Sequence, residues 1–317
     1  MKIIDFTHNH ITDAYELAIA HYKEERVHVP MLPKIEGVPD LTDFANNGFG
    51  VAAFDGDKMI GFLCSYKPFD NAFRSTRVKG IFSPMGGNAS IPANRARIYA
   101  EMYQAAAEKW VSVGAVSHAI CLFAHDKEAQ DQFYQYGFGL RCVDAIRQME
   151  SIECKPCADY HFMELGADDC SAVYPLEMML DAHQRTSPYL MNRPSATFEC
   201  FKNNYLNDSR YFGVKHKNEL CAFLSVTDKG ETFIAAGGNY KHICGAFCMP
   251  EHRGKGVYQN LLNFVVATLK NEGITCIGTD FESFNPVGAC FWLKYFAAYT
   301  HSVVRRIDER ILEGKFK

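Results

Sequence analysis

Arg253-Gly254-Lys255-Gly256 has the residue types and spacing to hold a diphosphate. The run follows a β-rich apolar stretch, Ile243 to Met249, and a turn at Pro250, and it leads into a helical pattern starting at Val257. At a helix start the first N–H groups are unpaired and the helix dipole is positive, so an anion is welcome there. Gly254 and Gly256 remove side chains at that point, and Arg253 and Lys255 add charge. A plain surface turn would use such glycines to end a helix; these open one. Two carboxylates, Asp280 and Glu282, follow the next β-rich stretch and are candidate bases, directly or through water. Cys154-Lys155-Pro156-Cys157 has the spacing of half a zinc knuckle. A structural zinc site needs four ligands and no second pair follows, so no metal is expected and the stretch reads as a linker with two thiols.

The elements that position the glycine loop occur twice. Apolar residues recur at Ile98, Met102, Ala106 and Trp110, and again at Val257, Leu261, Val265 and Leu269. Both patterns stop at a glycine, Gly114 or Gly273, and run into a strand. The strand Lys58 to Cys64 matches Glu219 to Ser225, and Phe133 to Phe138 matches Phe291 to Phe296. The offset stays at about 160 residues, which predicts a tandem duplication. The expected division is residues 1–150 and 160–317, with a polar boundary from Ser151 to Asp159. Each copy reads as one or two N-terminal helices, a β-meander, a long helix, a strand, a shorter helix and closing strands. That is a mixed-sheet α/β (α+β) domain.

Composition excludes several classes. The chain has 317 residues and a net charge of −4, with no run of like charges and no basic face for nucleic acid. No stretch is long and apolar enough for a membrane span, and the first residues do not read as a secretion signal. Most of the 12 cysteines sit in apolar runs and read as reduced thiols, so a cytoplasmic protein is expected.

The segment Ile243 to Gln259 resembles the coenzyme A signature of the GNAT N-acetyltransferase superfamily. Arg253, Gly256 and Tyr258 stand at the arginine, first glycine and second glycine-or-alanine positions of that signature, so Tyr258 departs from it. Pro250 fits too, as does the run from Asn285 into the Phe291-Trp292 helix, and the likeness covers Tyr160 to Asp308. The resemblance implies that two strands splay apart to admit the pantetheine arm of acetyl-CoA. Backbone of Ala246, Phe247 and Cys248 would then meet the arm, and Arg253, Gly254, Lys255, Gly256, Val257, Tyr258 and Gln259 would hold the diphosphate. Asn285 would lie near the arm. Trp292 takes the place where many members carry an acid tyrosine, leaving Tyr295 or Tyr299 as substitutes. A nucleophilic role for Cys248 or Cys290 would need an activated thiolate, and no histidine is tied to either by a motif. In the first copy, the same offset sets Arg97 against Gly256, which marks that half as degenerate.

The expected activity is transfer of an acetyl group from acetyl-CoA to the primary amine of a small molecule. Alternatives are a non-catalytic acyl-CoA sensor and a protein N-acetyltransferase. A homodimer is compatible with the sequence.

Overall fold

The computed structural model describes residues 1–314. The first half runs β1 (Lys2–Asp5), α1 (Ile11–His28), α2 (Thr42–Asn47), β2 (Val51–Asp55), β3 (Lys58–Leu63), β4 (Lys79–Ser83) and β5 (Asn88–Ser90). It continues with α3 (Arg95–Ser112), β6 (Ala115–Phe123), α4 (Lys127–Gln135) and β7 (Gly139–Gln148). The second half opens with β8 (Tyr160–Leu165), α5 (Cys170–Arg185), α6 (Phe198–Asn207), β9 (Arg210–His216) and β10 (Glu219–Thr227). It ends with β11 (Tyr240–Cys248), α7 (Val257–Asn271), β12 (Cys276–Glu282), α8 (Pro286–Tyr295) and β13 (Ala297–Arg306). The long helix, strand, short helix and closing strand therefore recur in the same order, in a mixed α/β fold.

The two long helices bury the stripes their spacing predicts. On α3, Ile98, Met102, Ala106 and Trp110 face inward, and on α7 so do Val257, Leu261, Val265 and Leu269. A repeat of four residues keeps one side of a helix against the core. Trp110 is fully buried and donates its indole N–H to the Phe49 carbonyl at 2.9 Å. A buried indole needs that partner, because an unpaired donor away from water is costly.

The compact units do not follow the two halves of the sequence. One unit is Met1–Asp144 together with the chain from Ala298 onward, and the other is Ala145–Ala297. In the first unit β13 pairs antiparallel with β6, from Thr300 opposite Phe123 to Arg306 opposite Ser117. Val303 is fully buried in that unit's core with Ile120 and Leu122. In the second unit the strand order runs from the end of β7 through β12, β11, β10 and β9 to β8. The closing strand expected in residues 160–317 thus belongs to the first unit. A repeat offset identifies matching elements, but it carries no information about which sheet edge a last strand joins.

Val303→Asp should therefore disturb the first unit, because it buries an unpaired charge in a strand with no exposure. Hydrogen exchange should quicken in β6 and α3 and stay slow in β10 and α7. Equal loss of protection in β10 and α7 would contradict this assignment of the strand.

Candidate active site

The site lies wholly in the second unit and begins with a break in a strand pair. β11 and β12 run parallel from Tyr240 opposite Cys276 to Ile243 opposite Thr279, and no farther. On its other side β11 stays paired with β10 up to Cys248 opposite Ala222. The register shifts between Ser225 and Val226, so Cys244 is an extra residue in β11 at the point where β12 is lost. Such a bulge bends and twists the strand that carries it. Beyond it one edge of β11 has no strand partner among the described residues. Met249 N–H bonds to Cys221 O at 2.9 Å on the β10 side. Antiparallel alternation then turns the N–H groups of Ala246 and Cys248 toward the open edge.

A cavity of about 480 Å³ occupies the opening. Ala246, Phe247 and Cys248 form one wall, and Gly254, Gly256, Val257, Tyr258 and Gln259 form its far end. Gly256 caps α7 with φ 77° and Gly254 has φ 71°, a region that side chains other than glycine's enter only with strain. No side chain caps the helix, so its first N–H groups are available to a ligand. Arg253 lines the cavity, donates Nε–H to Cys248 O at 2.8 Å, and stacks on Phe247 at 5.5 Å. Tyr258 turns its hydroxyl to Phe223 O at 3.0 Å and packs edge-on against Phe291. Its bulk is thus absorbed by the core side of the helix, which explains how the chain carries tyrosine where the signature has a small residue.

Asn285 also lines the cavity, and its side chain caps α8 by accepting from Gly288 N–H at 3.0 Å. Tyr295 is in the wall, whereas Lys255 is exposed and outside it. Asp280 and Glu282 are not wall residues. Asp280 is held 2.7 Å from Nε2 of His242, a histidine only 4% exposed at the end of the paired stretch. Tyr299 belongs to the first unit, where its carbonyl accepts from Ala124 N–H. Burial pushes the Cys248 thiol up to about 12, so it stays protonated near neutrality and is no nucleophile. Cys154 and Cys157 bracket the Asn260 side chain at 3.2 and 3.4 Å, which fastens the linker to the first turns of α7.

Glu177 on α5, which nothing in the sequence analysis marked, lies near Gly245 but is not among the residues lining the cavity. Its carboxylate would lie 3.6 Å from a β-carbon at Gly245, one residue past the bulge. Burial raises its pKa to about 7, helped by the negative Asp181 on the next turn. The Tyr211 hydroxyl, 3.4 Å away, and the Arg193 charge pull it back part of the way. A signal was present in the sequence: Glu177 shares a helix stripe with the buried Val173 and Leu176, where an apolar residue is the norm.

The first unit answers differently at the matching place. Its α3 starts at Arg95 with Asn94 as N-cap at φ 56°, so Asn94 corresponds to Gly256. The pairing of Arg97 with Gly256 is therefore three residues out of register, and Arg97 is an exposed partner of Glu101. Arg95 does the blocking. It is 7% exposed, bonds Glu24 at 2.8 Å, and faces Asp126, the N-cap of α4, at 3.6 Å. The cavity left beside them measures about 40 Å³.

Residues 176–292 match the acetyltransferase (GNAT) family. The structure is similar to a GCN5-related N-acetyltransferase from Sphaerobacter thermophilus, with a TM-score of 0.59 at 10% identity over 96% of this chain and 95% of that one. A GNAT-family acetyltransferase from Colwellia psychrerythraea gives a TM-score of 0.47 at 14% identity, covering 97% and 100%. A tandem GNAT protein from the clavulanic acid biosynthesis pathway gives 0.44 at 13% identity, covering 96% and 98%. No curated protein matches the chain in sequence. The open-edged strand and the glycine-started helix that builds the cavity fall in the segment that matches the acetyltransferase (GNAT) family.

Proposed function

We propose that the second unit transfers an acetyl group from acetyl-CoA to the primary amine of a small molecule. The observation that carries this reading is the single cavity that runs from the bare start of α7 to the open edge of β11. A diphosphate at one end and an extended, strand-like arm along the other need those two surfaces in that order. Glu177 beside Gly245 then supplies the group an amine transfer requires.

The substrate amine arrives largely as an ammonium ion and must lose a proton before it attacks. A carboxylate that titrates near 7 is half ionised at neutral pH and accepts that proton efficiently. The free amine attacks the thioester carbonyl, and the N–H groups of Ala246 and Cys248 stabilise the developing oxyanion. The intermediate's nitrogen gives up its extra proton to water, and collapse breaks the C–S bond to leave the amide and release the thiolate, which is a tolerable leaving group. Tyr295 is the phenol in the cavity wall that would return a proton to it. Transfer is direct in this reading, and the Cys248 thiol, held neutral, takes no part.

Three measurements test this reading. Calorimetry should find one acetyl-CoA site per chain, and Gly256→Arg should abolish it by combining backbone strain with a blocked approach. Two sites, or binding that survives the substitution, would place the function elsewhere. In carbon-13 spectra Glu177 should titrate near 7, moving up in Tyr211→Phe and down in Asp181→Asn. The acidic limb of kcat/KM should follow the same midpoint.

Stability and activity should part at this residue. The folded pKa of Glu177 lies above the usual glutamate value of 4.5. Its stabilising contribution is therefore complete below pH 4.5 and is lost as the pH rises through about 7. At pH 8 a buried carboxylate remains as a penalty. Glu177→Gln should thus raise stability at pH 8 by about 1–3 kcal/mol while lowering kcat about 100- to 1000-fold. A purely structural glutamate would lose both together.

A further inference from the structure

Part of the cavity wall comes from neither the β11 edge nor the start of α7. Leu180 and His183 stand on the last turns of α5, and Tyr189 on the segment that follows. The body of α5 covers the sheet, where Val173 and Leu176 pack with Phe223 and Phe247. Its end then reaches the cavity. In the proposed reaction the arm takes the strand edge and the diphosphate takes the helix start, which leaves this wall to the acceptor. The wall is built firmly. Leu190 N–H bonds to Thr186 O and Met191 N–H to Gln184 O, each at 3.0 Å, which fastens the chain around Tyr189 to the end of α5. The Tyr189 ring, 9% exposed, meets His183 edge-on at 5.4 Å and Phe284 at 5.7 Å.

Its chemistry is apolar and aromatic, and the charge around it has one sign. Val287 lines the same cavity while 58% exposed, so it stands at the mouth and makes that rim apolar. Arg253 and Lys294 line the cavity, and no aspartate or glutamate does so among the described residues. Burial and the Arg253 charge hold the His183 imidazole below its ordinary value, which keeps that ring neutral near pH 7. In the proposed reaction one ammonium gives its proton to Glu177. A second ammonium would lose its water and meet only apolar surface and like charge. A carboxylate among these apolar side chains pays a similar penalty.

We propose that the acceptor is a primary monoamine with an aromatic tail, and that Leu180, His183 and Tyr189 select it by packing against that tail. The inference rests on the reading of the second unit as an N-acetyltransferase. Aromatic rings prefer edge-to-face or offset contact, and His183, Tyr189 and Phe284 already form a run of such contacts to which one more ring can be added. A linear alkyl tail would bury apolar surface on Leu180 but gain none of these ring contacts. Leu180 supplies the aliphatic side of the site, and its replacement by a charged residue changes the selection directly.

The test is steady-state acetyl transfer by the full chain, read as released thiol. The acceptors are phenethylamine, hexylamine, phenylalanine and putrescine. Phenethylamine should exceed putrescine about 100-fold in kcat/KM, the scale of burying one aromatic group, and should also exceed hexylamine and phenylalanine. In Leu180→Asp the added carboxylate should lower the rate with phenethylamine and raise that with putrescine, so that their ratio falls at least about 10-fold. Leu180→Met should keep the wild-type order. Acetyl-CoA affinity kept in both variants shows that they are folded. Any of the other three acceptors used as well as phenethylamine, or an unchanged ratio in a folded Leu180→Asp, would overturn the aromatic site. If acetyl-CoA fails to bind, or binds and is passed to no amine, the underlying N-acetyltransferase reading falls instead.

Discussion

Everything in the second unit turns on β11 keeping one hydrogen-bonded neighbour and losing the other. Backbone polar groups are rarely left unpaired away from water, so a strand edge without a partner either meets solvent or waits for a ligand. Here the extra residue Cys244 creates such an edge inside the unit rather than at its rim. The β10 side stays intact through Cys248, so the open edge is stiff, and its donors keep their positions whether or not anything is bound. Those fixed donors are also what an oxyanion needs, since a preorganised dipole spends nothing on reorientation during reaction. In the proposed function, one irregularity in register supplies both the binding surface and the electrostatic part of the chemistry.

The same edge explains why an acidic residue is tolerated on the inner stripe of α5. Gly245 leaves out the side chain that would have filled the space in front of Glu177; a β-carbon there would also lie 2.5 Å from Ser225 Oγ. The carboxylate is accommodated but poorly solvated, and burial outweighs the help of Tyr211 and Arg193. Stability and function pull in opposite directions at this point. An apolar or neutral residue would pack at lower cost, whereas a base that titrates near neutrality requires the penalty.

The sequence made the local elements and one end of the site readable. Arg253, Gly254 and Gly256 are visible as cavity-lining residues because a bare, glycine-started helix end demands particular residues in consecutive positions. The stripes on α3 and α7 are visible because helical packing repeats within four residues. Glu177 was hidden for the opposite reason. It comes near Gly245 across tertiary space, from a helix about 70 residues before the glycine loop, and no spacing rule connects the two. Asp280 and Glu282 drew attention by lying close to the motif in the chain, but their side chains are outside the cavity wall. The destination of β13 was equally unreadable, because strand partners are chosen by complementarity between sheet edges and leave no periodic trace.

The first unit has different side chains at the matching helix start. The start of α3 keeps the left-handed cap that the start of α7 has, with Asn94 in place of Gly256. Asparagine is the residue that best tolerates that conformation after glycine, so the turn itself survived. The changes lie in the side chains that point inward. Arg95 spans from Glu24 to Asp126, and Asp126 in turn holds His21 at 2.9 Å. These charges satisfy one another beside the start of α3. A buried pair of this kind is hard to undo, because removing one partner strands the other without water. The arginine–aspartate pair leaves a cavity of only about 40 Å³ beside the start of α3, whereas the open-edged strand and bare helix start lie in the second unit.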